Sequence, residues 1–516
     1  MGAMITQAES EQLVANATRP LLEKIQQLTG ALDEAKAVIR SFKTQIFGVR
    51  AETSQVLFTD EHQIFIDPTW GAGHETTPPP PPVVEVEVTT VRKPRDHRGL
   101  AQKYPHLAVK DAEVPVAPEI QAQVDAGQVS LRRTGTYHDE LVKPDSSAFI
   151  RRVYDLEVVQ PLTGTVTLQL PQADRVVPGG ILADESIDHL VITKYLDAMP
   201  FHRQLLAWRR EQVEVSRKTV NDAFIAWDEL HAPLAAVIRE QIFDAPVVHA
   251  DESWARVQAK GVCERGNLWT LVGAGQVAYA YTPDRIHARA LEIIPRQFTG
   301  NLVVDAWEGW FDVTWVELYL CNAHARRPFA AFLKRNPSSA DARTMVDLYR
   351  NLYRLEGQAK EGPAEGVLER LREIRATQAQ KVMDTIKKTA ESLAAKYPDQ
   401  HTLAKGARYI LGHEPYLTKF LTNPLVPPDN NLAENALRIN ALIRKNSMFF
   451  GTHEAGNASA RVMTILHSCR MIDLEPHRYL QHVRPFLLLH RRGRPQNLEA
   501  LTPRVIAAAI KDPPPS

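Results

Sequence analysis

The feature that most narrows the fold of this chain is a run of apolar segments beginning near residue 245. "APVVHADES" reads as a strand, "NLWTLVGAG" and "QVAYAYT" as two more, and "PDRIHARALEII" as a helix. "GNLVVDAW" then supplies a fourth strand ending at Asp305, and "WVELYLCN" a fifth that runs into the helix "AHARRPFAAFLK". Three consecutive strands followed by alternating helices and strands is the element order of an RNase H-like α/β core. In such a sheet the first and fourth strands are neighbours, which brings Asp251 and Asp305 face to face near its centre.

Alternation along a strand sends Asp251 and the adjacent Glu252 to opposite faces, so only one of them joins such a site. The apolar spacing favours Asp251 and leaves Glu252 a supporting role. Two carboxylates make a weak metal site, and a third oxygen donor is found in "PPDNNLAENALRINALIRKN". Two prolines and Asp429 open a helix there. Asn430, Glu434 and Arg438 recur every four residues on one of its faces, and Leu432, Ala436, Leu437 and Ile439 cover the rest. Asp251, Asp305 and Glu434 are therefore the candidate catalytic and metal-binding acids. Hard oxygen donors suit Mg²⁺, with Mn²⁺ as substitute. Two such ions are the usual means of activating an attacking hydroxyl and stabilising a leaving 3′ oxygen in phosphoryl transfer.

"HADES", "VVDAW", "CNAHARRPF" and "PDNNLAENALR…RKNSMFFGT" together resemble the IS66-type transposases, whose core carries a DDE site on an RNase H-like fold. The resemblance covers roughly 180–480 and is most specific over 424–456; "TQIFGVRAETSQ" also resembles the family's leader. It implies the triad Asp251, Asp305 and Glu434, nicking of DNA at terminal inverted repeats, attack of the freed 3′-OH on target DNA, and accessory proteins encoded by the same element. Two departures bear on how ends are recognised. Residues 84–180 contain no cysteine, so the zinc segment common in the family is missing and no zinc is expected. The C-terminal end continues as "RPFLLLHRRGRPQNLEA" where the family has a proline-tryptophan ending.

Other segments set the organisation. Positions 14, 18, 21, 25, 28, 32, 35, 39, 42 and 46 form a nearly pure heptad seam, so 1–50 reads as a coiled-coil helix that pairs with a second copy or packs on the rest of the chain. A linker over 51–100 contains five consecutive prolines. A small β-rich region, antiparallel between 140 and 170, is expected over 101–180. A helical region over 181–243 has the form of a helix-turn-helix. Its last helix begins after the N-cap Ser216 and presents Arg217, Lys218, Thr219 and Asn221 as DNA contacts; a plain helical subdomain is the competing reading. The core is expected over 244–336 and 425–485, interrupted by an all-helical insertion (or separate bundle) over 337–424. A basic tail over 486–516 closes the chain.

Cys321 and His324 form a C-x-x-H step like that of several transposase families, in which the histidine lies close to the catalytic acids. Alone it offers too few ligands for structural zinc. His324 is read as a DNA contact or as a satisfied core histidine. Arg326, Arg327, Arg438, Arg444 and Lys445, with Asn430, are candidate DNA contacts around the acids, against solvated helix faces. Trp307 and Trp310 are stacking candidates, with packing the ordinary alternative. "RRGRP" resembles an AT-hook core, with Arg492 and Arg494 in the minor groove, or else is a flexible basic tail.

The formal net charge is zero, so any nucleic-acid surface is local. Three distant cysteines exclude a disulfide framework, and no apolar run is long enough to span a bilayer. The expectation is a cytoplasmic, nucleoid-associated bacterial transposase acting on double-stranded DNA as a homodimer or larger. The rivals are a domesticated DNA-binding relative, an RNase H-like structure-specific nuclease, and a non-enzymatic DNA-bridging regulator.

Overall fold

The structure, a computed structural model, describes residues 99–511 apart from 144–147, 161–162, 164, 171–173 and 259–262. The coiled coil expected over 1–50 and the linker, up to residue 98, lie outside the described residues.

The first sheet contains β1 (Val109–Glu113), β2 (Ser130–Val142), β3 (Phe149–Val159) and β4 (Val166–Leu170). β3 is its centre, antiparallel to β2 and β4 but parallel to β1, which shares an edge of β3 with β4. Ile150, Val153, Leu156 and Val158 of β3 are buried. Its arginines meet acids across the ladder: Arg152 bonds Asp139 at 2.7 Å, and the two residues are register partners.

Three helices follow, α1 (Asp184–Tyr195), α2 (Phe201–Arg210) and α3 (Arg217–Gln241). The Ser216 hydroxyl accepts the Thr219 N–H at 3.0 Å and starts α3. Arg217, Lys218 and Asn221 are exposed in its first turns, with Lys218 paired to Asp222. The rest of the helix is largely a core element, burying Phe224, Trp227, Leu230, Leu234 and Ile238.

The second sheet contains β5 (Val247–Gln258), β6 (Cys263–Gly273), β7 (Gln276–Thr282), β8 (Asn301–Val304) and β9 (Glu317–Leu320), in the order β7-β6-β5-β8-β9. The β5-β6-β7 meander is antiparallel, and β8 and β9 add in parallel beside β5. Alternation divides this sheet between two cores. On β7, Val277, Tyr279 and Tyr281 join the core that contains α1 and α3, whereas Ala278 and Ala280 join the other.

Downstream lie α4 (Asn322–Arg335), α5 (Ala340–Lys360), α6 (Val367–Ile374), α7 (Gln380–Lys396), α8 (Thr402–Gly412) and α9 (Glu414–Thr418). Tyr349, Leu352, Ile386, Leu403 and Ile410 of these helices share one core with Val248 of β5, Val304 of β8 and Leu318 of β9. The helical insertion is thus packed on the sheet, not a separate bundle. One fixed point is buried Arg375, which grips Glu356 of α5 through two 2.7 Å bonds. It also donates to the carbonyls of Phe420 and Asn423 in the segment leading out of the insertion.

α10 (Asn431–Ser447), α11 (His453–Met471), α12 (Pro476–Arg491) and α13 (Pro503–Lys511) complete the chain. α11 covers the outer edge of β7. There Thr464 Oγ1 accepts the Tyr279 N–H at 2.9 Å and Ser468 Oγ the Val277 N–H at 3.2 Å, so the edge is closed to further strands.

The C-terminal region corrects an expectation. It is folded up to residue 511, with Leu501 and Ile506 in the first core and Tyr479 donating to the Leu501 carbonyl. Arg491 donates to the carbonyls of Arg175 and Val176, and Arg492 pairs with Asp174. Of the two proposed hook arginines, Arg492 is therefore tied to the body of the protein. The reason is that "RRGRP" sits at a helix end, where Gly493 takes a positive φ of 76°.

Candidate active site

β5 and β8 run in parallel with His249 opposite Val303. Carrying that register two residues on sets Asp251 beside Asp305, which follows the last residue of β8. Each is steadied by the chain near it. Asp251 Oδ1 accepts the Glu252 N–H at 2.8 Å, and Asp305 Oδ1 accepts the Trp307 N–H at 3.0 Å.

Glu434 lies in the first turn of α10. It is brought to the sheet by Asn430, which is buried and joins three segments. Asn430 Nδ2 donates to the Ala250 carbonyl at 2.7 Å, Oδ1 lies 3.0 Å from His249 Nδ1, and its backbone N–H donates to Cys321 Sγ at 3.2 Å. β5, the end of β9 and the start of α10 are thereby pinned at one point. Asn430, read from sequence as a DNA contact, is corrected to a buried structural clasp: it is 0% exposed.

The three carboxylates feel one another. Burial pushes the Asp251 carboxyl up to about 7, and the charges of Asp305 and Glu434 add to the rise against the Glu252 N–H and Arg327. Glu252 is pushed to about 8 by burial, Asp305 and Asp251, opposed by Arg285, with which it forms an ion pair. As alternation requires, Glu252 is directed away from α10, and Arg285 in turn lies 4.7 Å over the Trp307 ring. Trp307 packs against Trp269 and Trp310, and Trp310 is fully buried and closed to stacking on a base.

His324 Nδ1 lies 3.2 Å from Glu434 Oε1, and an Arg327 nitrogen lies 3.4 Å from the same oxygen. Burial, then Arg327, lowers the His324 pKa, while Glu434 and Asp305 oppose them. Cys321, His324 and Glu434 offer ligand atoms within 4.8 Å of one another. The C-x-x-H step thus gains a third donor that its spacing alone did not reveal. The Cys321 thiol is pushed up to about 11 by burial, which disfavours the thiolate a soft metal needs.

Arg326 and Arg438 lie on the surfaces of α4 and α10, and Lys445 is exposed near the end of α10. Arg444 is directed onto β5, where it donates to Ser253 Oγ and to the Trp254 carbonyl, each at 2.8 Å. Three participants escaped the sequence reading. Arg285 follows β7 in an ordinary turn and carries no motif. Trp254 lies just past "HADES" and belongs to no motif. Tyr409 of α8 is close enough to Asp305 for that charge, after burial, to raise its pKa, a neighbourhood set only by how the insertion folds back.

The family model that matches this chain is described as "Transposase IS66 family" and covers residues 179–458. The chain belongs to the IS66 transposase family. The matched region takes in α1–α3, the whole second sheet, the insertion and the helix bearing Glu434. Three proteins of Sinorhizobium fredii (strain NBRC 101917 / NGR234) are similar. "Uncharacterized protein y4jD" is 27% identical over 342 residues, which are 61% of this chain and 65% of that protein. "Uncharacterized protein y4qI" is 25% identical over 354 residues, 64% of each chain. "Uncharacterized protein y4hP" is 25% identical over 342 residues, 61% of each. The match thus spans less than two thirds of these relatives' own lengths. Among the described residues no helix is long and apolar enough to cross a membrane.

Proposed function

We propose that this IS66-family chain is a DNA transposase of the DDE type, built on an RNase H-like core, that cleaves and joins DNA through Asp251, Asp305 and Glu434. The observation carrying the proposal is the β5–β8 register, which sets Asp251 beside Asp305 while Asn430 pins the helix of Glu434 to the same strand. The sheet order β7-β6-β5-β8-β9, with only β6 running against the rest, supports the RNase H-like assignment.

The donor set suits Mg²⁺ or Mn²⁺. Burial pushes the Asp251 carboxyl up to about 7, and the charges of Asp305 and Glu434 add to the rise, a cost that a divalent cation offsets. When bound, such ions supply activation of the attacking oxygen and stabilisation of the leaving 3′ oxygen. The residues of the chain do the placing. Asp251, within β5, and Asp305, just past the end of β8, present oxygens from adjacent strands. Glu434 comes from a helix held by Asn430, and Arg327 reaches its carboxylate at 3.4 Å. Arg327, 59% exposed, balances the acidic cluster and meets a phosphate, with Arg326, Arg438 and Lys445 farther out. Arg217, Lys218, Thr219 and Asn221 take the transposon ends, residues 1–50 hold two copies together, and helper proteins of the same element complete the reaction.

Asp251→Asn, Asp305→Asn and Glu434→Gln are each expected to abolish metal-dependent cleavage while DNA binding, followed by gel shift, stays within a few-fold of wild type. Near-normal cutting by any one of them removes that residue from the triad.

A further inference from the structure

Beyond the acids, β5 continues past the end of β8 as one arm of a long hairpin with β6. Trp254, on that arm, is 37% exposed. Three guanidinium groups gather around its indole, with Arg444 4.2 Å from the ring centroid, Arg265 5.5 Å and Arg256 5.7 Å. They come from three separate segments, so the gathering is a product of the fold and not of a basic run in the sequence.

The platform is rigid. Arg444 is aimed by its bonds to Ser253 Oγ and the Trp254 carbonyl. The end of α10 is sewn to β5 by the Phe450 N–H on the Arg256 carbonyl and the Gln258 N–H on the Phe450 carbonyl, each at 2.8 Å. Among the described residues no carboxylate pairs with Arg265 or Arg444. The nearby acid Glu264 is occupied by His453 at 3.0 Å. The Arg444 pKa is lowered by burial and then by Arg256. Stacking on the indole steadies each guanidinium, and an anion among them would be held by all three.

Resting on the transposase proposal, we infer that Trp254, Arg256, Arg265 and Arg444 form a second DNA site that grips the phosphodiester backbone of the strand running out of the catalytic centre. The spacing fits. Trp254 is three residues beyond Asp251, about 10 Å along the strand or about three nucleotides of B-form rise, and alternation sets it on the face of Glu252, so the DNA strand passes round the exposed edge of β5 to reach it. Planar guanidinium forks held over an aromatic face suit phosphate oxygens and read no base, so the grip is independent of sequence.

The test uses the full chain carrying Asp305→Asn, so that DNA is not consumed. Fluorescence anisotropy would follow binding to a duplex of arbitrary sequence, and to a single strand of the same length, over a series of KCl concentrations. Arg265→Ala is expected to weaken binding by about tenfold at low salt and to lower the slope of log affinity against log salt by about one. Arg265→Lys should keep the slope. Trp254→Ala, which removes no charge, should weaken binding several-fold with the slope little changed. A larger loss on the duplex or on the single strand tells which form of DNA the cluster holds. Unchanged affinity and slope on both, for Arg265→Ala and for Arg256→Ala, overturn the inference. Nicking by the chain without Asp305→Asn is scored separately. Normal nicking with an unmoved slope sinks the second site alone, whereas a lowered slope without nicking keeps the site and sinks the proposed chemistry.

Discussion

Asn430 Nδ2 donates to the carbonyl oxygen of Ala250 across 2.7 Å, so the residue just before Asp251 is held by the residue that opens the helix of Glu434. The same side chain takes up His249 Nδ1. Asn430→Ala leaves a buried carbonyl and a buried imidazole nitrogen unsatisfied, at about 1–3 kcal/mol each. A loss of about 2–4 kcal/mol is expected in urea unfolding, and cleavage should fall well beyond what the unfolded fraction explains. Asn430→Asp keeps an acceptor for His249 but loses the donor, so it should not rescue. A stability within about 0.5 kcal/mol of wild type, the range of ordinary surface changes, would show that the clasp is not needed.

The shared charge of the acids ties metal binding to pH. The Asp251 pKa, about 7, and the Glu252 pKa, about 8, lie above those of the unfolded chain. Their contribution to stability is therefore present at low pH and is lost as pH rises through about 7 to 8. A divalent cation at Asp251 takes the place of the proton. Mg²⁺ should consequently raise Tm more at about one unit above pH 7 than at about one unit below it. Asp251→Asn should abolish that difference. Calorimetry without any DNA reads this, and an Mg²⁺ effect that is the same at both pH values would speak against Asp251 as a ligand.

The insertion reaches the site through Arg375. Removing one partner of a buried ion pair strands the other, so Arg375→Ala should cost about 3–5 kcal/mol. It also frees the carbonyls of Phe420 and Asn423 in the segment before Glu434. Arg375→Met combined with Glu356→Leu should recover much of the stability, since an apolar pair of similar volume often replaces a buried ion pair without loss. Denaturant midpoints of the two single variants and the double variant decide this. Recovery of stability without recovery of cleavage would show that the two carbonyl bonds also position Glu434.

What was legible in the sequence follows from period and order. The five strands of the second sheet show as apolar runs of strand length, and their order with respect to the helices fixes which strand ends are neighbours, so Asp251 and Asp305 could be paired without coordinates. The place of Glu434 in the first turn of α10 was legible because two prolines and Asp429 announce the start of that helix. The use of Asn430 was not, because a buried amide and an exposed one look alike until burial is known. The parallel entry of β1 was hidden for a similar reason, since pairing direction depends on the path of the loops. Trp254 and its arginines are far apart along the chain, so only the fold brings them together. The C-terminal arginines misled because a helix end and a flexible basic tail share the same composition.

The most direct measurement is incubation of wild type and Asp305→Asn with end-labelled DNA from both flanks of the gene, with Mg²⁺, with Mn²⁺, and with chelator. The expected result is nicks at matching inverted repeats that require the metal and vanish in Asp305→Asn. Cleavage that persists in Asp305→Asn, or specific binding with no cleavage under any metal even when the element's other proteins are added, would contradict a DDE transposase built on Asp251, Asp305 and Glu434.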